Sequence, residues 1–224
     1  MVGLMKEKEV IGMFISGHPL DSFSFELKHL CTPAEGLAAL AEPLSLRGRE
    51  LRFAGRIAEV SHRISKQGKP FGTFSLEDLH GTEKFSLFGD DYLKFKDFLV
   101  EGWFVWVRGQ VEPRRFRDDP NDVEFRIKGM ELLADIREKL LARVRLVVPF
   151  DRIDGGFVDQ IERWTAAHPG PVGLSVDVAS ADGTLQFVSR SRRVGLSDEA
   201  LSALTAWAEP SGVECRFEWN RTTG

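Results

Sequence analysis

The sequence predicts an α+β chain: a five-stranded β-barrel preceded by a helical segment and followed by a small β-α-β-β-α-β domain. Three observations carry this expectation. From Leu51 to about Leu132, apolar residues recur mostly every second position, the period of a half-buried strand. Near both ends of the chain the period changes to three or four, as in KEKEVIGMFI and SDEALSALTAWA. Between the alternating runs stand short polar turns with glycine, SKQGK and HGT among them.

Residues 1–45 read as a helical linker. KEKEVIGMFI places Val10, Ile11 and Phe14 on one helical face, Gly17 supplies a stop, and Pro19 opens a second helix, PLDSFSFELKHL. TPAEGLAALAEP is a loop with one short helical run. Residues 46–133 form the barrel. LRFAGRIAEVSHRI is a long first strand in which Gly55 marks a bend or bulge. GTFSLED turns Phe74 and Leu76 inward and Thr73, Ser75 and Glu77 outward, and EKFSLF turns Phe85 and Leu87 inward. DDYLKFKDFL shifts to helical period through Tyr92, Phe95 and Leu99. WFVWVRGQVEP and VEFRIKGMEL are the last two strands, joined by the polar loop RRFRDDPND. The order β-β-β-α-β-β is that of an OB-fold, whose second and third strands, with the loops joining strands one to two and four to five, form its binding face.

Residues 134–224 change character again. RVRLVVPF, PVGLSVDV, TLQFVSR and VECRFEW read as strands, with helices at GFVDQIERWTAAH and at SDEALSALTAWA, where Ser197 is the N-cap. The order suggests a ferredoxin-like or related α+β unit.

Composition narrows function by exclusion. Of 224 residues, 42% are hydrophobic and 29% charged, ordinary for a globular chain. No apolar run nears the ~20 residues of a membrane span, and the polar N-terminus lacks the apolar core of a secretion signal. Cys31 and Cys215 lie far apart, and the histidines cluster neither with cysteine nor with each other. A reducing, cytoplasmic setting without metal or cofactor follows as the expectation. The net charge of −4 is unevenly spread. Arg47 to Ser75 carries seven cations against two acids, whereas the chain from Asp151 onward carries seven arginines against eleven acids. Two surfaces with different partners are expected.

Several residues invite a chemical role. Asp90-Asp91 looks like half of a two-metal centre, but it follows Gly89 at a strand end and opens a helix, where one Asp would cap and the other complement the positive N-terminus. No third carboxylate joins it, so no catalytic residue is assigned. The Ser65–Lys69 loop lacks P-loop spacing; it is a solvated hairpin tip or a clamp over phosphate through Lys66 and Lys69. Arg114, Arg115, Phe116 and Arg117 offer cations around a ring, which suits a single strand, although Asp118, Asp119 and Asp122 stand ready to pair with them. If alternation holds, Phe71 and Phe88 fall on the outward face with Thr73, Lys84 and Ser86, where a base could stack; a bulge would turn either inward. Arg63 completes the DNA-binding set. Trp103 and Trp106 have opposite parity, so at least one faces outward. Ser189–Arg193 could meet nucleic acid, but its acidic surroundings favour a solvated turn or a contact for acidic surface.

These stretches resemble a known family. EKEVIGMFISGHPLDSF is similar to the segment before the OB domain of the bacterial DNA polymerase III alpha subunit. GRIAEVSHRISKQGKPFGTFSLEDLHGTEKFSLFGDDYLKF resembles that OB domain, and RLVVPF … VSRSRRVGLSDEALSAL … VECRFEW its C-terminal domain. The resemblance implies a non-catalytic C-terminal fragment of a DNA-directed DNA polymerase, since the family's palm aspartates have no counterparts here. It implies single-stranded template DNA as a partner of the barrel. It also implies the clamp-loader tau subunit as a partner of the last domain through the extreme C-terminus, which ends here in NRTTG, and the remainder of the alpha subunit as a third partner. The alternative is a protein–protein scaffold with little DNA affinity of its own.

Overall fold

The computed structural model describes residues 18–114, 118–181 and 183–220. The first expected helix, up to residue 17, lies outside them. The chain divides into two compact units, Met1–Ile136 and Arg137–Gly224.

In the first unit, Pro19 opens a 3₁₀ turn, Pro19–Phe23, that passes into helix α1, Ser24–Leu30. His18 caps the turn: its ring accepts from the Leu20 N–H at 3.1 Å, and its own N–H donates to Asp21 Oδ2 at 2.6 Å. Short 3₁₀ segments, Gly36–Ala41 and Pro43–Leu46, then put Leu37, Leu40 and Leu46 into the barrel core. These two segments therefore belong to the barrel core, whereas the turn and helix before them lie against the first and fourth barrel strands, through the Thr32–Arg52 bridge and the contact of Phe23 with Phe104.

The barrel strands are β1 (Glu50–Ile64), β2 (Pro70–Glu77), β3 (Thr82–Phe88), β4 (Phe104–Pro113) and β5 (Val123–Leu132). Helix α2, Gly89–Phe95, lies between β3 and β4. The fifteen-residue β1 serves two partners: Glu50–Arg56 pairs with β4, and Arg56–Ile64 pairs with β2. To make that change it bulges between Ile57 and Glu59, not at Gly55. Gly55 answers a different demand. A Cβ there would lie 2.7 Å from the Glu77 carbonyl oxygen, so only glycine admits the crossing chain.

Phe53, Phe74, Leu76, Phe85, Val105 and Val107 fill the interior, joined by Tyr92, Phe95 and Leu99 from α2 and the turn after it. Ser75 lies on the outer face, as expected, yet is buried, and its hydroxyl reaches Glu59 Oε2 at 3.4 Å. Neighbouring β1 and β3 shield the middle strand of the hairpin even on its polar face. Neither Asp90 nor Asp91 caps α2: the N-cap is Phe88, with no side-chain cap, and both acids sit in the first turn. There they complement the positive helix end without closing a hydrogen bond.

The sheet order is β3-β2-β1-β4-β5. Its two ends, β3 and β5, are not joined by a ladder; they face each other across a groove of about 750 Å³, with Phe85 and Phe125 in edge contact at 6.0 Å. The barrel is thus partly open, as small OB barrels are. Asp78 ties the β2–β3 turn to the linker by accepting N–H bonds from Leu37 (2.6 Å), His80 (2.8 Å) and Gly81 (2.9 Å).

The second unit begins with helix α3, Ile136–Leu140, shared across the boundary, and strand β6, Leu141–Pro149. Helix α4 (Gly155–Ala167), strands β7 (Pro169–Ser180) and β8 (Gly183–Val194), helix α5 (Asp198–Ala208) and strand β9 (Glu214–Trp219) follow. Asp154 and Ser197 cap the two longer helices through the N–H groups of Phe157 and Ala200. The sheet order is β8-β7-β6-β9, with β6 and β7 parallel neighbours. A ferredoxin-like unit would place another strand between those two, so the expected relation to that fold does not hold. Val144, Leu146 and Val148 share one core with Phe157, Trp164, Leu204 and Ala208, which places α4 and α5 on the same face of the sheet.

Candidate nucleic-acid interface

Strand register decides which side chains share the outer face of β1, β2 and β3. Arg63 pairs with Phe71, and Phe71 with Phe88. Ser61 pairs with Thr73, and Thr73 with Ser86. Glu59 pairs with Ser75, and Ser75 with Lys84. Directly paired residues point to the same side of a sheet. The face therefore carries three rows spaced about 6.8 Å apart, two residues at ~3.4 Å each. One row holds two rings and a guanidinium, the next three hydroxyls, and the last an acid, a hydroxyl and an ammonium.

The rings of Phe71 and Phe88 stack, with centroids 5.4 Å apart and planes 20° from parallel. Phe88 is 62% exposed, although a phenylalanine gains by burial; its face is open to solvent. Both rings point outward as the alternation predicted, and no bulge interrupts the β2–β3 ladder. The opposite side of β2 is closed by α2. A Cβ on Gly72 would lie 2.8 Å from the Tyr92 ring, whose hydroxyl sits 3.0 Å from His62 Nδ1. The platform is thus backed by packed structure.

Beyond the ring row lies the Ser65–Lys69 turn. Ser65 N–H donates to the Lys69 carbonyl at 2.8 Å, and Gly68, at φ +75°, donates to Ser65 O at 2.9 Å. The tip is hydrogen-bonded, and it leaves Lys66 and Lys69 exposed. Arg63 rests its Nε on Ser61 Oγ at 3.0 Å. Among the described residues, Arg63, Lys66, Lys69 and Lys84 have no carboxylate at ion-pair distance.

Two other cations of the same basic stretch, Arg52 and Arg56, and Arg108 on β4 are already engaged. Arg56 pairs with Glu77 at 2.7 Å, and burial lowers its pKa. Arg52 and Arg108 share Glu50, whose carboxyl is held below the usual range chiefly by its hydrogen bond from Arg52. In the loop joining β4 to β5, Arg114 pairs with Asp122 at 3.1 Å and Glu124 at 3.6 Å. Arg115, Phe116 and Arg117 lie outside the described residues. Arg114 nevertheless lines the β3–β5 groove together with Lys84, Ser86, Phe88, Glu124 and Arg126, so the platform runs into that groove.

Residue-by-residue reading of the sequence missed two parts of this face. Ser61 and Glu59 belong to it, and the alternation of Glu59, Ser61 and Arg63 was the signal for both. The open seam had no signal, because it depends on a pairing that does not form. Trp103 proves to be the exposed member of its pair, while Trp106 is buried and donates to the Leu30 carbonyl at 3.1 Å. Among the described residues, no group of three His, Cys, Asp or Glu is placed to hold a metal ion, and no helix is long and apolar enough to cross a membrane.

The β-β-β-α-β-β order and the partly open barrel are those of an OB-fold. Residues 51–133 match the family of OB-fold nucleic acid binding domains. Over its wider length the chain resembles the C-terminal region of the bacterial DNA polymerase III alpha subunit. It is 28% identical to that subunit of Saccharopolyspora erythraea across 84% of this chain and 16% of the relative. It is 24% identical to that of Escherichia coli (strain K12) across 95% of this chain and 18% of the relative. The chain thus spans less than a fifth of the length of these relatives. Among solved structures, the mitochondrial single-stranded DNA binding protein of S. cerevisiae matches 38% of this chain and 94% of its own, at 16% identity and a TM-score of 0.27.

Proposed function

We propose that the chain is a non-catalytic binding module of a replicative DNA polymerase, in which the barrel holds single-stranded template DNA. The observation that carries this reading is the Arg63–Phe71–Phe88 row, with the Lys66 and Lys69 tip beyond it and all the cations of that patch uncommitted to carboxylates. Single strands require two things of a protein: cations that replace condensed counterions, and flat apolar surfaces that accept bases. The face offers both within a few ångströms and offers little that would discriminate one base from another. Lys84 extends the cationic edge toward the groove; Arg115, Phe116 and Arg117, next to Arg114 in the sequence, belong to the same proposal.

Modest affinity, little base preference and steep loss with salt follow. Fluorescence anisotropy with a labelled oligothymidylate, run at two salt concentrations, tests this. Binding that does not weaken with salt, or no binding at all, refutes it. By the resemblance, the second unit docks holoenzyme proteins, the clamp-loader tau subunit among them, and the module works in the bacterial cytoplasm beside the rest of the alpha subunit.

A second reading, a protein–protein scaffold with little intrinsic DNA affinity, is favoured by the engagement of Arg114 with Asp122 and Glu124 and by Glu59 on the platform. A pulldown with the tau subunit, set beside DNA titration of the Lys66→Ala/Lys69→Ala variant, separates the two. Retention of tau with no DNA binding by the parent protein selects the scaffold.

A further inference from the structure

The second unit carries a feature that strand binding by the barrel leaves unused. Helices α4 and α5 cover one face of its sheet, but the layer is incomplete. Leu185 and Phe187 on β8 pair with Val178 and Val176 of β7, and so point to the helix-bearing side. No helix lies over them: Leu185 is 67% exposed and Phe187 58%. Phe150 and Ile153, in the turn after β6, and Val158 on α4 are exposed around the same hollow. Together they line a groove of about 530 Å³ between α4 and β8. A sheet face half covered by helices and half bare leaves apolar area where one more helix would pack. Contiguous exposed apolar patches of this kind mark interaction surfaces.

Charge says what kind of helix fits. From Gly183 to Val194 the described residues of β8 contain no acid, and Arg190, Arg192 and Arg193 are exposed along it. Among the described residues none of the three has a carboxylate at ion-pair distance, although acids outnumber cations in this part of the chain. Arg192 itself borders the groove. The groove thus joins an apolar floor to a rim with Arg192 on its β8 side and Glu162 on its α4 side, while Arg193, paired with Gly173, belongs to the opposite face of the sheet.

We propose that this groove receives an amphipathic helix of a partner protein, with apolar residues on its inner face and acidic residues on the side that meets β8. The site is distinct from the extreme C-terminus, and it does not depend on the barrel's binding of DNA.

The test uses the full chain and a designed, fluorescein-labelled helical peptide with Leu and Phe at i, i+4 and i+7 and Glu or Asp along one flank. Controls are a peptide with Lys for each acid, a scrambled peptide and an oligothymidylate competitor. Anisotropy should show saturable binding of the acidic helix, weakened tenfold or more by Phe187→Asp, by Arg190→Glu/Arg192→Glu and by the lysine replacement. It should be unaffected by Lys66→Ala/Lys69→Ala, which reports on the barrel alone. Phe187 is exposed, so its substitution leaves the core intact; Leu185→Gln serves as a second variant, with thermal melts run on both. Equal binding of all three peptides, an unchanged affinity in both apolar variants, or no saturable binding overturns the proposal. Displacement of the peptide by oligothymidylate that depends on Arg192 also overturns it, and assigns the rim to nucleic acid.

Discussion

Replacing Phe88 by alanine separates stacking from electrostatics. Its ring is 62% exposed and meets Phe71 at 5.4 Å, so the substitution removes a solvent-facing surface and one cross-strand contact. Loss of such a pair costs about 0.2–1 kcal/mol of stability, small against the stability of a domain. A base stacked on an aromatic ring contributes ~1–3 kcal/mol by alanine substitution. At 1.4 kcal/mol per tenfold, Kd for oligothymidylate should rise by about 5- to 150-fold. The slope of log K against log salt should stay where it was, because no cation is lost. Anisotropy titrations at several salt concentrations, with a urea melt of the same preparation, measure all three quantities. If the variant melts like its parent and binds within about twofold of it, the ring row does not receive bases and the reasoning fails.

Other expectations are narrower. Lys66→Ala/Lys69→Ala should make the salt slope shallower by about 1.4, at ~0.7 per phosphate contact; an unchanged slope removes the hairpin tip from the interface. Asp78→Ala strands the N–H groups of Leu37, His80 and Gly81 and should cost on the order of 1–3 kcal/mol or more in urea unfolding; a neutral result would show that water takes its place. Burial is the main cause that pushes the Cys31 thiol up to about 12 and that of Cys215 to about 11. Both should resist iodoacetamide at pH 8 in the native protein and react once it is unfolded. Because both values are raised, the associated stability is present in full below the ordinary thiol range and is lost as pH climbs through 11 and then 12. Rapid native labelling of Cys31 would contradict its burial.

How much was legible in the sequence follows from the range of each interaction. Alternation is local, so Phe74, Leu76, Phe85 and Leu87 could be assigned inward from neighbours alone, whereas Phe71 and Phe88 are settled only by the ladder, which has no bulge between them. The burial of Ser75 could not be read this way, because it comes from flanking strands. The bulge of β1 falls at Ala58 and not Gly55, because the change of partner sets it. The platform rows needed register, which no single strand contains: Arg63 lies eight residues from Phe71 and twenty-five from Phe88, and only two ladders bring them into line. Ion pairing was ambiguous for the same reason. Arg56 and Arg63 look alike in sequence, yet only Arg56 meets a carboxylate in its own row. In the second unit the element sequence was readable, whereas the adjacency of β6 and β7 is a matter of topology.

The unladdered seam between β3 and β5 leaves the barrel a mouth whose width is set by side chains, Phe85 against Phe125 and Leu40 and Pro43 of the linker among them. Trimming Phe125 to leucine would alter the width of that mouth while every ladder of the sheet stayed whole, which makes its calibre a trait that evolution or design can tune with one codon.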